Sequence, residues 1–550
     1  MPWPEFRIPG GLSKLNMPIP AKKKRRINLL GMKRLLPLAF ALVKFVSGYF
    51  LISSGYDLQR DEYLYLNQGQ HLAWGYLEVP PLIAAQGWVA LALGGGEGWV
   101  KFWPFLWGAG TVYLIMRLAQ RLGGGWFATA LAGTCYLASA YARLNLLFQP
   151  NSFEVFGFVF CLYSLVRFLQ ENRPRYLYWL GLGLGLGLLN KYTTLFFMAA
   201  LGGALLLTPA RRLLLNRHFW GAAGLAGLLW LPNLLWQIRH GIPFIHHMAL
   251  LKESQLVHVQ AADFWKAQLL MCLPATWVWV PGLLALLLGR AFRPYRAVGW
   301  VVVLGVGLLA ALHGKDYYAL GYYPVLFAFG AVWWETRLQP ATGLQRLRWQ
   351  QVLKPGLVVL PMVFLLVFLP LLFPVRRPAA MAALRPTFAK LGVYRWEDGR
   401  EHPLPQDYAD MLGWRELADK TWAAYQSLPA SVRPHTLIHC ANYGQASAIN
   451  YYNRHRTLPA ASSLNGSFIF WYPALAQTQA ILIVDDEPDD ELAPHFAAYR
   501  RAGRITNPYA REHGTAITIG LRPDSVVLHL VRREWRAELA SWEGPHTPAN

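Results

Sequence analysis

Long apolar runs alternate with short polar connections over the first two-thirds of the chain. Each run has the length and composition of a helix that crosses the roughly 30 Å hydrocarbon core of a bilayer. The runs lie near 34–54, 101–120, 126–147, 152–170, 176–190, 192–208, 218–236, 267–289, 297–312, 318–335 and 356–374. They predict an α-helical polytopic membrane protein with about eleven transmembrane helices. The runs at 176–190 and 192–208 could instead form one tight helical hairpin.

The pattern changes near residue 378, where charged residues return and the long apolar runs stop. The segments HTLIHC, AILIVDD and TAITIG predict short strands, and residues 414–427 and 488–502 predict helices. Residues 378–550 are therefore predicted to form a small α/β domain of ordinary size. Residues 31–377 would form the transmembrane domain.

Positively charged residues indicate how the helices are oriented. The chain carries 52 Lys and Arg against 30 Asp and Glu, a net charge of +22. The cations concentrate in alternate connections, as expected of short cytoplasmic loops. This distribution predicts a cytoplasmic basic tail at 1–30, disordered over its first part, and a periplasmic domain at 378–550 in a bacterial inner membrane. No nucleic-acid-binding motif accompanies the charge, so membrane lipids, not nucleic acids, are the expected partners.

The cysteines give no sign of a disulfide framework or a metal site. None of them has CxxC or metal-ligand spacing: Cys135, Cys161, Cys272 and Cys440. The sequence indicates no cofactor, and a divalent metal is compatible with it but not indicated.

Candidate chemistry begins in the predicted outer loop, residues 55–100. The loop contains YDLQRDEYLYLNQGQHLAWGYLEVPPL, which is too polar to cross a bilayer. Apolar side chains recur in it at roughly the helical spacing expected of helices in the membrane interface: Tyr63, Leu66, Leu72 and Leu77. Asp61 and Glu62 begin the first of these helices. The pair could complement the helix dipole, with Arg60 as an ion-pair partner, or it could take part in chemistry.

Three more ionisable residues lie at the same predicted face. Glu154 lies in the first turn of a predicted span, and Lys191 and Lys315 lie at the outer ends of two others. An ionisable residue in a span is costly and is a functional candidate by default, although Glu154 could also be a helix-end residue that reaches the interface. Cations hold phosphates and acids accept protons. The cluster therefore favours a site for a phosphate-bearing lipid.

Several stretches also carry a resemblance to a known family: QRDEYLYLNQGQHLAWGYLEVPPLIA, FQPNSFEVFGFVFCLYSLVR, WLPNLLWQIRHGIPF, HGKDYYALGYYPVLFAFGAVW and NYGQASAINYY. They resemble the bacterial GT-C membrane glycosyltransferases related to dolichyl-phosphate-mannose–protein mannosyltransferases and to lipid A aminoarabinose transferase. The resemblance covers most of 35–335. It implies the GT-C fold, a polyprenyl-phosphate sugar donor and a lipid, glycan or protein acceptor. It also implies inversion at the anomeric carbon.

The resemblance assigns roles to the acids. Asp61 matches the family's general base, and Glu62 matches its companion acid. Glu154 falls where relatives carry an acid in a second outer segment. The chain departs from the aminoarabinose transferases at Val79, preceded by Glu78, where those relatives carry Lys before the double proline.

The cations are the candidates for holding the donor phosphate. Lys315 and Tyr317, with the adjacent Tyr318, match a family patch near the lipid phosphate. Arg60 and Lys191 are the other cations predicted at this face. Neutralising a phosphate leaving group is an electrostatic task that side-chain cations can perform.

Two other functions stay open at this point. A lipid-linked sugar transporter or flippase would place ionisable groups and broken helices near the bilayer midplane, and the Gly-rich GLGLGLGLL at 181–189 is the feature that most favours it. Close helix packing explains the same glycines. A sensor with a glycan-binding outer domain would leave Asp61, Glu154 and Lys315 without a role.

Overall fold

The computed structural model describes residues 22–254, 261–338, 344–486 and 490–542. A helical bundle precedes a mixed α/β domain. The predicted disordered segment 1–20 lies outside the described residues, whereas the basic stretch that begins at Lys22 forms the start of the first helix. The helices of the bundle are α1 (Lys22–Ser47), α2 (Arg60–Gln70), α3 (Leu82–Ala92), α4 (Glu97–Arg121), α5 (Trp126–Leu137), α6 (Tyr141–Leu144), α7 (Pro150–Glu171), α8 (Arg175–Leu188), α9 (Thr193–Leu206), α10 (Arg217–Arg239), α11 (Pro243–Ser254), α12 (Ala261–Met271), α13 (Thr276–Leu288), α14 (Arg296–Ala311), α15 (Pro324–Arg337) and α16 (Leu344–Leu372).

Each predicted apolar run coincides with a helix or a broken helix, but the predicted number of about eleven spans is not confirmed. Among the described residues, four helices are long and apolar enough to cross a membrane, and bent pairs could raise the number to six. The helices α8, α9 and α15 have 14 residues each, which corresponds to about 21 Å of helix. They are therefore too short to cross an unperturbed bilayer alone.

The glycines of α8 serve helix packing. A Cβ on Gly181 would lie 2.3 Å from the carbonyl oxygen of Ala222, and one on Gly185 would lie 2.7 Å from a methyl carbon of Leu229. Small residues let helix backbones approach closely in this way. The feature that most favoured a transporter thus has a packing explanation.

The helix that begins with the Asp-Glu pair is buried and does not lie freely in the interface. All its residues from Glu62 to Gly69 are buried, because α3 covers one side of it and the C-terminal domain covers another. A Cβ on Gly69 would lie 2.6 Å from the backbone nitrogen of Trp88. The predicted helical spacing ends at Gln70, so that Leu72 and Leu77 lie in the connection to α3.

The C-terminal domain contains α17 (Pro378–Ala382), α18 (Arg385–Phe388), α19 (Gln406–Ala409), α20 (Trp414–Gln426), α21 (Tyr443–Tyr452) and α22 (Ser525–Trp542). Its strands are β1 (Thr436–Cys440), β2 (Ala461–Ser463), β3 (Ala480–Asp485), β4 (Phe496–Arg504) and β5 (Ala516–Pro523). They form one sheet in the order β2-β1-β3-β5-β4. β1 is parallel to β2 and β3, whereas β5 is antiparallel to β3 and β4. The three predicted strands and the predicted helix at 414–427 are confirmed.

The predicted helix at 488–502 is wrong. Residues Asp490–His495 form a short 3₁₀ segment that contains Pro494, and β4 follows from Phe496. Proline interrupts a helix because it lacks the backbone N–H and clashes with the preceding turn. The residues after it instead pair their backbone groups with β5.

The C-terminal domain packs directly on the outer loop through α21 and α2. The hydroxyls of Tyr63 and Tyr452 lie 2.9 Å apart, and the Asn450 amide donates to the Asn67 side chain at 3.1 Å. Tyr63 is completely buried by this contact. The domain therefore forms a roof over the end of the helical bundle where the acidic pair lies.

Candidate functional site

A cavity of about 660 Å³ lies between the bundle, the outer loop and the C-terminal domain. The bundle and the outer loop supply Arg60, Asp61, Glu78, Arg143, Lys315, Tyr317 and Tyr318 to its wall. The C-terminal domain supplies Glu397, Asp407, Asp410 and Tyr443. Five of the eight predicted site residues therefore lie on one cavity: Arg60, Asp61, Lys315, Tyr317 and Tyr318.

The first turn of α2 directs Asp61 into the cavity. The side chain of Gln59 accepts a hydrogen bond from the Asp61 backbone N–H at 2.9 Å, and the Glu62 carboxylate accepts one from the Gln59 N–H at 2.7 Å. This reciprocal cap fixes the start of the helix. The Asp61 carboxylate then accepts hydrogen bonds from the Tyr443 hydroxyl at 2.8 Å and the Gln149 amide at 3.2 Å. Its side chain is 25% exposed, so it can still meet a substrate.

Glu62 points the opposite way and is buried away from the cavity. The ammonium of Lys101 lies 2.6 and 2.7 Å from its two carboxylate oxygens. The backbone N–H of Phe148 also donates to it at 2.6 Å. Glu62 links α2 to α4 and to the segment that precedes α7, and it does not line the cavity.

Lys315 lies at the start of a 3₁₀ segment, Asp316–Tyr322, which brings Tyr317 and Tyr318 to the cavity wall. The Lys315 ammonium lies 2.8 Å from a carboxylate oxygen of Glu397 in the C-terminal domain. Burial opposes the ionisation of Glu397, but Lys315 and the hydrogen bond from Gln406 outweigh it and lower the pKa of Glu397. The two groups thus form an ion pair across the cavity rim.

Glu154 and Lys191 pair with each other behind the cavity wall. The Lys191 ammonium lies 3.1 Å from Glu154 and 2.7 Å from the Asn151 side-chain oxygen. The Thr193 hydroxyl also donates to Glu154. Lys191 lies 4.3 Å from the ring centroid of Tyr318, a distance typical of a cation–π contact. It therefore contacts the site through an aromatic ring that lines the cavity.

Sequence reasoning missed two charged pairs at the cavity, of which Arg143, Asp407 and Asp410 line the wall. The guanidinium of Arg143 lies 2.7 Å from Asp407, and that of Arg511 lies 3.2 Å from Asp410. Burial raises the pKa of Asp410 to about 6, against the opposing effect of Arg511. Arg143 interrupts an apolar run, and this charge was the sequence signal that could have identified it. Its acidic partner, Asp407, lies 264 residues away and carries no such signal.

Glu78 is a further cavity residue, directly before Val79, the position at which the sequence departs from the family pattern. It accepts hydrogen bonds from the backbone N–H and the hydroxyl of Ser467, at 2.7 and 2.6 Å, and from Gln68 at 3.0 Å. Burial raises the pKa of Glu78 despite these bonds. The carboxylate thus ties the outer loop to the C-terminal domain.

Among the described residues, no group of three His, Cys, Asp or Glu side chains could hold a metal ion. The four cysteines are all described and all are free and buried. The expectation that no cofactor is indicated, with a divalent metal compatible but not indicated, stays a prediction.

Comparison with known proteins gives one family, one curated relative and a set of similar structures. Residues 78–236 match the family described as dolichyl-phosphate-mannose-protein mannosyltransferase. Over 201 residues the chain is 27% identical to the lipid A galacturonosyltransferase RgtD of Rhizobium johnstonii. The match covers 35% of this chain and 41% of RgtD, so the chain spans less than half the length of this relative.

The similarity in fold extends over nearly the whole chain. The crystal structure of ArnT from Cupriavidus metallidurans bound to undecaprenyl phosphate superposes with a TM-score of 0.58 at 15% identity, over 88% of this chain and 97% of ArnT. Its apo state gives a TM-score of 0.56 at 14% identity, over the same shares of the two chains. The resemblance predicted from the sequence is confirmed as a similarity: residues 78–236 match that mannosyltransferase family, and the fold of the chain is similar to that of ArnT.

Proposed function

We propose that this protein transfers a sugar from a polyprenyl-phosphate donor to the hydroxyl of a lipid, glycan or protein acceptor at the periplasmic face of the membrane. The observation that carries the proposal is that Asp61 and Lys315 line the same cavity at the end of the bundle. The ArnT structure of the same fold holds undecaprenyl phosphate, and RgtD is named for transfer of a sugar to lipid A. The first supports the class of donor, and the second supports the class of reaction.

The proposed reaction is a single displacement. Asp61 accepts the proton of the acceptor hydroxyl as the acceptor oxygen forms a bond to the anomeric carbon. The bond from that carbon to the phosphate oxygen breaks, and polyprenyl phosphate leaves with the electron pair. Attack opposite the leaving group inverts the anomeric centre. A positioned base of this kind contributes about 10²–10⁴-fold to the rate.

The donor phosphate would take the place of Glu397 on Lys315. Both are anions, and the Lys315 ammonium lies 2.8 Å from a carboxylate oxygen of Glu397. Tyr317 and Tyr318 flank this position, with Lys191 against the second ring. The cations neutralise the charge that develops on the leaving phosphate, and the polyprenyl tail would extend between the helices.

The direct test supplies the purified protein with a panel of polyprenyl-phosphate sugars and a lipid acceptor. Release of polyprenyl phosphate that depends on the acceptor is the expected result. Movement of the intact donor across a proteoliposome membrane, without release of the phosphate, would indicate a transporter instead.

Lys315→Ala is expected to weaken donor binding about tenfold or more, because a charge-assisted contact to the phosphate is lost and Glu397 is left unneutralised. Lys315→Arg is expected to keep part of the affinity, since a cation without matched geometry still pairs with a phosphate. Donor KM or a direct binding titration measures the effect. Lys390→Ala, at a cation of the C-terminal domain that does not line the cavity, is the control. An unchanged donor affinity in Lys315→Ala would remove the phosphate role.

The two ends of the described chain are expected to lie on opposite sides of the membrane, as the distribution of basic loops predicts. A topology reporter fused after Pro209 should be active in the cytoplasm, and one fused after Arg415 should be active in the periplasm. A cytoplasmic signal after Arg415 would contradict the orientation, because that residue belongs to the domain that covers the cavity.

A further inference from the structure

We infer that Tyr443 of the C-terminal domain is a positioning residue for the base, so that the catalytic site is assembled from both domains. The inference rests on the proposed function, since it takes Asp61 as the base. Tyr443 is the first residue of α21, and its hydroxyl donates to the Asp61 carboxylate at 2.8 Å. The two residues are 382 positions apart in the chain.

The first turn of α21 is built to approach α2 closely. A Cβ on Gly444 would lie 2.6 Å from the Arg60 side chain, so a glycine at this position permits the contact. The Asn442 side chain caps the helix by accepting from the Gln445 N–H at 3.1 Å. Gln445 in turn donates to the buried Glu512 at 2.7 Å, which anchors this turn in its own domain. The position of Tyr443 is therefore set by the fold of the C-terminal domain.

The chemistry of the contact suits a base. Burial, together with the charge of Asp61, raises the pKa of Tyr443 well above its usual value. The phenol is therefore neutral and donates. A hydrogen bond to a carboxylate favours its ionised form. It also holds one oxygen of Asp61, and so leaves the other, which contacts Gln149 at 3.2 Å, to meet the acceptor. The guanidinium of Arg60 lies over the Tyr443 ring, 5.0 Å from its centroid, and this cation–π contact helps to hold the orientation of the ring.

The same helix offers a matched control for a merely structural role. Tyr452, at the other end of α21, also bonds across the domain interface, to Tyr63 at 2.9 Å and to Asp57 at 3.1 Å. It does not line the cavity or contact Asp61. If the tyrosines of α21 serve only to dock the domains, their phenylalanine variants should behave alike.

Tyr443→Phe keeps the ring and its contact with Arg60 and removes the hydroxyl alone. We expect kcat to fall about tenfold or more, the range for hydrogen bonds to charged groups, with donor KM within about twofold of wild type. Tyr452→Phe should lower the thermal midpoint in detergent and leave kcat within about twofold of wild type.

Two results would overturn the inference. One is turnover by Tyr443→Phe within about twofold of wild type. The other is a fall in kcat of equal size in Tyr452→Phe. Measuring Asp61→Asn alongside separates this inference from the proposed function. Full activity in Asp61→Asn would contradict the assignment of Asp61 as the base. An inactive Asp61→Asn beside a normal Tyr443→Phe would contradict only the positioning role of Tyr443.

Discussion

Asp61→Asn is expected to leave the protein folded and able to bind its donor while transfer falls about 10²-fold or more. Asparagine has nearly the same shape, so the first turn of α2, which is capped by Gln59 and Glu62, should survive. The amide cannot accept the acceptor's proton. A rate loss of 10²-fold corresponds to about 2.7 kcal/mol of transition-state stabilisation.

Turnover under single-cycle conditions and a separate donor-binding titration measure the two parts of this expectation. Asp57→Asn is the matched control, because Asp57 also lies in the outer loop and contacts the C-terminal domain but does not line the cavity. If Asp61 were only a helix-end charge, its substitution would cost a few tenths of a kcal/mol of stability and no activity. Turnover within about threefold of wild type, at matched protein levels, would return Asp61 to that structural role.

Helix and strand positions could be predicted from the sequence because they depend on local pattern. The apolar runs coincide with helices, and the runs of HTLIHC, AILIVDD and TAITIG are strands of one sheet. The prediction failed at 488–502, where the strand β4 is held by pairing with β5 and its outer face is exposed. An edge strand with one polar face carries charges at a density that also suits a helix. The number of spans could not be predicted from the sequence either, because short helices packed within a bundle have the same composition as helices that span the membrane.

The candidate site could be predicted only in part from the sequence, and the Asp-Glu pair shows why. Adjacent residues on a helix point about 100° apart, so one of Asp61 and Glu62 faces the cavity and the other faces α4. Which one does so depends on Lys101, 39 residues away, and on the Phe148 N–H. Both acids fit the same local pattern, and only the tertiary contacts distinguish them.

Residues of the C-terminal domain were missed for a related reason. Tyr443 and Asp407 contact Asp61 and Arg143 across separations of 382 and 264 residues. Nothing in the local sequence of a soluble-looking domain indicates that its helix α21 will close a cavity at the end of a membrane bundle. The stretch NYGQASAINYY was recognised as family-like, but the role of its Tyr and Gly follows only from the docked arrangement.

Lys101→Met is expected to destabilise the protein by about 3–5 kcal/mol, since breaking a buried ion pair leaves an uncompensated buried charge. Lys101 and Glu62 have side-chain exposures of 7% and 0%. The thermal midpoint in detergent should fall, and transfer should fall with it because Glu62 helps to cap the turn that carries Asp61. The double variant Lys101→Met/Glu62→Gln should be more stable than Lys101→Met, because it removes both charges while an amide oxygen still accepts from the backbone.

Lys420→Met, which breaks a partly exposed pair with Glu416, is the control and should cost at most about 1 kcal/mol. A loss of stability in Lys101→Met no larger than in Lys420→Met would contradict the anchoring role of the pair. It would also remove the structural reason for giving Glu62 a structural role and Asp61 a catalytic one.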